Sequence, residues 1–127
     1  MPEADFAFFD LKASTELPTA EILRHPVAFR VAVHKFAYST GRWTRIGQVE
    51  PPPKLIAPQP KFMRDRLSGE FSIYLGGHIR RVQRADCVGL ERSAVWDPNH
   101  VEDRLRDHFA GVPNKWVESL ALKEEAL

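Results

Sequence analysis

Few residues of this chain could do chemistry. Cys87 is the only cysteine. To act as a nucleophile it would need a histidine beside it, because the thiolate is the attacking form. Its neighbours Val88 and Leu90 favour a small buried hydrophobe instead. His100, Asp103 and Asp107 share one side of a helix and could in principle hold a metal. Arg104 and Arg106 stand between the acids, which is the pattern of a solvated face. His108 falls inside an apolar stripe, where a satisfied core histidine is favoured over a base. Trp96 and Trp116 could anchor a partner, but packing around a helix pair is the simpler use. Gly76-Gly77 lacks the other glycines and the lysine of a phosphate loop. No serine stands in a nucleophile-elbow pattern. No Cys/His pair has zinc-finger spacing. No catalytic residue, metal or cofactor is expected.

The arginines offer binding rather than catalysis. Arg30 and His34 fall on the polar side of an alternating strand, and Arg80, Arg81 and Arg84 follow in a second strand. A guanidinium fork grips a carboxylate at two points and tolerates partial desolvation. These five residues are the expected contacts for an acidic protein partner.

Those side chains must be positioned by a small number of elements. Asp97-Pro98 opens a helix: the carboxylate can cap, and proline at the first helical position loses no hydrogen bond. Val101, Leu105 and Phe109 recur every four residues as one apolar stripe. Glu102 and Arg106 form an i,i+4 pair in the favourable order. Gly111 and Pro113 stop the helix, which is predicted over Pro98–Ala110. Asn114 caps a second helix, with Trp116, Val117 and Leu120 inward.

Upstream, Asp5–Leu11 reads as a strand, central or well covered because it is almost uniformly apolar. Thr15 or Thr19 can cap a brief helical turn before Pro26 stops it. Val27–Tyr38 alternates strongly, and its change of phase near His34 or Lys35 predicts a bulge. After a turn at Thr40-Gly41-Arg42, Trp43–Val49 is the expected hairpin partner. Prolines 51, 52, 53, 58 and 60 exclude a ladder strand, so the segment to Arg66 is expected to be a connection. Its Leu55, Ile56, Phe62 and Met63 should hold it against the body. Glu70–Leu75 and His78–Arg84 form a hairpin around Gly76-Gly77. The expected fold is α+β: a bent antiparallel sheet of about five or six strands, approaching a barrel, closed by two C-terminal helices.

The chain has 127 residues, which suits a single domain over 1–127. Its formal net charge is only +1, and nucleic-acid binders usually carry a clear basic excess. One cysteine excludes an intrachain disulfide. Acidic residues at the N-terminus do not suit a signal peptide, and no apolar run approaches a membrane span. A cytoplasmic protein is expected, without membrane contact.

Three stretches, HPVAFRVAVHKF, GRWTRIGQV and CVGLERSAVWDPNHVEDRLRDHFAGVPNKW, resemble the immunity protein 26 family of bacterial polymorphic-toxin systems. The likeness runs from about Phe6 to Leu120, with Gly41-Arg42-Trp43, Ile46-Gly47, Leu90-Glu91 and Trp96 its most recognisable pieces. It implies a small cytoplasmic protein that binds and neutralises a toxin domain without catalysis. It carries over no catalytic or binding residue. The residues leave two rivals open: an RNA- or nucleotide-associated module using the arginine-bearing sheet face, and a small enzyme built around Cys87 or His108.

Overall fold

The computed structural model describes residues 5–123. Seven strands form two sheets. In the first, β1 (Asp5–Phe9) runs antiparallel to β2 (Val27–Val33), and β2 runs parallel to β7 (Val95–Trp96). In the second, β3 (Lys61–Arg64) lies between β4 (Phe71–Leu75) and β6 (Glu91–Arg92), and β4 pairs with the edge strand β5 (His78–Val82). Three single α-helical turns, α1 (Thr19–Ile22), α2 (Phe36–Ser39) and α3 (Pro53–Ile56), punctuate the connections, and a 3-10 turn over Arg84–Cys87 takes Arg84 out of its expected strand. Two longer helices, α4 (Pro98–Ala110) and α5 (Lys115–Leu120), are the last elements among the described residues. Among the described residues no helix is long and apolar enough to cross a membrane.

Alternation in β2 sends Phe29, Val31 and Val33 into a core with Ala37, Trp96 and Val101, against which Leu105, Trp116, Val117 and Leu120 of the two helices pack. Each such side chain contributes about 1.5–3 kcal/mol when fully buried. A second core, Phe62, Phe71 and Cys87, is covered by Val82, Leu90 and Leu122. The two cores serve the two sheets separately.

Helix α4 occupies its predicted span, and Gly111 ends it in the left-handed region at φ 70°. Val112 N–H donates back to the Asp107 carbonyl at 3.1 Å, closing the last turn. Asn114 caps α5 as expected, accepting from Val117 N–H at 2.9 Å. Gly76 and Gly77, at φ 56° and 86°, make the tight turn between β4 and β5.

Other expectations need correction. The fold is α+β, but it holds two mixed sheets, and no barrel closes among the described residues. Parallel pairing enters through β6 and β7, two residues each, too short for any periodicity to announce. β2 ends at Val33, and residues 36–39 wind into α2 instead of bulging onward. The phase change marks a switch to helical turn: Ala37 goes inward, and Phe36 and Tyr38 stand exposed. Residues 43–49 form no strand; the Trp43 ring instead packs edge-on against Phe6 and Phe8. β1 lies at a sheet edge, its apolar side chains half-buried under that tryptophan. The proline-rich connection ends at Pro60, not Arg66, because β3 starts directly after it and buries Phe62 at the centre of a sheet. Asp97 begins α4 through its carbonyl, yet its carboxylate makes no cap bond. Neither threonine caps α1, which starts on the Pro18 carbonyl.

Candidate functional site

Arg30 points away from the valine face of β2. Its Nε and Nη2 donate to Asp5 Oδ2 at 3.1 and 2.8 Å, and its Nη1 donates to the Ala57 carbonyl at 3.0 Å. The proline-rich connection therefore does lie against the body, and it covers Arg30, whose side chain is 13% exposed. Lys61 opens β3 beside it. Its Nζ donates to the Arg30 carbonyl and stands 3.8 Å from Asp5 Oδ1. Burial pushes the Lys61 amine below its ordinary range, Asp5 and Glu91 oppose this, and Arg30 and Arg104 add to it. Glu91 is itself taken by Arg104 of α4, at 2.5 Å. The Arg104 guanidinium lies 3.8 Å from the Phe29 ring centroid and 5.2 Å from that of Trp96.

Asp5, Arg30 and Lys61 border a cleft between the sheets. Its volume is about 430 Å³, and Leu55, Ile56, Pro58, Ala32 and Ala94 give it apolar walls. Gln59, Tyr74 and Ser93 also line it. Gln59 Oε1 is buried without a hydrogen-bond partner among the described residues. A larger groove of about 620 Å³, walled mainly by Phe8, Phe9, Leu11, Ile46, Leu105 and Phe109, with Thr15, Glu16 and Thr44 also lining it, runs beside β1.

The second feature is the free edge of β5. Residues flanking a two-residue turn form a hydrogen-bonded pair, after which bonded and non-bonded pairs alternate. With Leu75 opposite His78, the register turns the N–H and C=O of Ile79 and Arg81 outward. Directly opposed residues share a face, so Arg80 goes with Ile73 and Arg81 with Ser72. The two arginines therefore point to opposite faces. Arg81 is 73% exposed and pairs with Glu70 at 2.7 Å.

The five residues predicted as a binding surface do not converge. Arg30 lies in the cleft, locked by Asp5. His34 stands 3.8 Å from Asp97, at the start of α4. Arg80 and Arg81 belong to the other sheet, and Arg84 donates to the Lys123 carbonyl at 3.0 and 2.5 Å. Pairing between the two hairpins was the missing premise: β2 and β5 are in different sheets. Lys61, Asp5, Gln59 and Tyr74 escaped the sequence reading. Lys61 beside Phe62, straight after the last proline, was the available signal for a strand with one charged face.

The remaining candidates are occupied. Cys87 is fully buried, its thiol sits 3.8 Å from the Gln83 carbonyl, and burial pushes it up, away from the thiolate. His108 is not in the core; its Nε2 meets Asp10 Oδ1 at 2.8 Å near the surface. Asp103 accepts from the Trp116 indole at 3.0 Å and from Arg106, and both bonds hold its carboxyl below the usual range. Asp107 accepts from Asn114, and His100 stacks on Trp116 with centroids 3.6 Å apart. Trp96 is buried as a core residue, while Trp116 is only partly so. Arg106 thus serves Asp103 rather than Glu102, which binds Arg42 and Trp43. Searches of family models, curated proteins and solved structures return no match to this chain.

Proposed function

We propose that this chain is a non-enzymatic protein-binding module that takes an extended, acidic segment of a partner along β5, and that the partner is a toxin domain that it neutralises. The observation that carries the binding reading is the open edge of β5. An exposed edge offers unpaired N–H and C=O groups as a template for an added strand. Here that edge is five residues long and bears His78, Arg80 and Arg81. Ile79, 61% exposed, adds apolar contact on the same strand. Among the described residues Arg80 has no ion-pair partner and Arg81 has only Glu70. A segment rich in Asp and Glu complements that charge, which speeds association and sets register. The choice of a toxin as partner rests on the likeness to immunity proteins set out above.

Capture from a lysate of the source cells on immobilised protein, with co-expression of the captured toxin, tests both halves. Ile79→Pro removes an outward N–H and blocks strand addition without breaking the β4–β5 ladder. Together with Arg80→Ala/Arg81→Ala it should abolish capture and restore toxicity. Capture unchanged in both variants would overturn the edge reading. Captured partners without toxicity would overturn the immunity reading.

A further inference from the structure

We propose that the cleft between the sheets is a binding site for a small organic monocarboxylate that carries a hydroxyl or amide donor. This goes beyond the edge reading and does not rest on it. Arg30 is neutralised by its close pair with Asp5, and Glu91 by its close pair with Arg104. Lys61 is left with a carboxylate no nearer than Asp5 at 3.8 Å, although its own side chain is only 12% exposed. One of its three N–H groups serves the Arg30 carbonyl, so donors remain for an incoming anion. Burial, which lowers its affinity for a proton, is the cost that an anion in the cleft would offset.

Two features narrow the ligand. Tyr74 and Ser93 line the cleft with hydroxyls that make no hydrogen bond among the described residues. A hydroxyl or amide N–H next to the carboxylate would pair with them. Asp5 lies in the same cleft and repels a second negative charge, so a monocarboxylate suits it better than a phosphate dianion. The walls of Leu55, Ile56 and Pro58, and a volume of about 430 Å³, leave room for a hydrocarbon or aromatic body. Gln59 completes the polar lining.

Amide NMR titrations of the whole chain with mandelate, phenylacetate and inorganic phosphate test this. Mandelate should produce saturable shifts at Gln59, Lys61, Tyr74 and Ser93, and phenylacetate, lacking the hydroxyl, should bind about tenfold more weakly. Lys61→Met should weaken mandelate at least about tenfold, while Arg80→Ala leaves it unchanged. Tyr74→Phe, which removes only a hydroxyl from the cleft wall, should erase the preference for mandelate, and it decides the matter if Lys61→Met does not fold. Absence of saturable shifts at those residues would overturn the proposal, as would equal binding by the Lys61 variant. Phosphate binding as tightly as mandelate would overturn the carboxylate assignment.

Discussion

Replacing Glu91 by Gln should destabilise the domain far more than an ordinary surface change. Arg104 Nη2 lies 2.5 Å from Glu91 Oε1 and Nη1 lies 3.4 Å from Oε2, a two-point grip. The side chains are 13% and 26% exposed, so the pair is neither wet nor fully dry. Breaking a buried pair from one side costs about 3–5 kcal/mol, and an exposed pair is worth about 0–1. This geometry falls between them, at about 2–3 kcal/mol for Glu91→Gln. The loss comes from a guanidinium left over Phe29 and Trp96 without a counter-charge. Arg104→Met should cost less, about 1–2 kcal/mol, because methionine fills the apolar site and Glu91 keeps some water. The double variant should then be more stable than the sum, with a coupling of about 1–2 kcal/mol. Urea denaturation of the four proteins measures all of this. A Glu91→Gln midpoint equal to wild type, or single effects that add within about 0.5 kcal/mol, would refute the reasoning.

Three further outcomes follow from the contacts of Glu102, Asn114 and Cys87. Glu102 accepts from Arg42 at 2.7 Å and from the Trp43 indole at 2.9 Å, and these bonds, Arg42 foremost, hold its carboxyl below the usual range. A lowered folded value means that this stability is present above the unfolded carboxylate range and is lost as pH falls through the folded value; acid unfolding of Glu102→Gln should lack that component while wild type shows it. Asn114→Ala should cost about 0.5–2 kcal/mol by removing a side-chain cap, whereas Asp97→Ala should cost only a few tenths, because that carboxylate caps nothing; urea midpoints compare them. Cys87 should resist thiol reagents in the folded protein and react at a rate set by opening, which alkylation across a urea series reads directly.

The elements legible in the residues were those with local rules. Helix α4 carries a proline at its start, a stripe of three apolar residues and a left-handed glycine at its end, each of which acts within one turn. The β4–β5 hairpin is set by two adjacent glycines, and the core face of β2 by simple alternation. Local chemistry misled where a residue had a distant alternative. Asp97 could have capped, but His34 and His100 stand within 3.9 Å of its carboxylate. Glu102 could have met Arg106 one turn on, but Arg42 and Trp43 reach it from a loop sixty and fifty-nine residues away.

The site divides the same way. Residue types alone determined that Arg30 belonged on the face opposite the valines. Which charges meet was decided only by the tertiary structure. Asp5, Arg30, Lys61, Glu91 and Arg104 come from four strands and a helix: the antiparallel β1–β2 pairing sets Asp5 near Arg30, and the parallel β3–β6 pairing sets Lys61 opposite Glu91. Two-residue parallel strands have no period of their own. Their position is a property of the packed sheets, since a backbone group takes its partner from whichever segment burial places beside it.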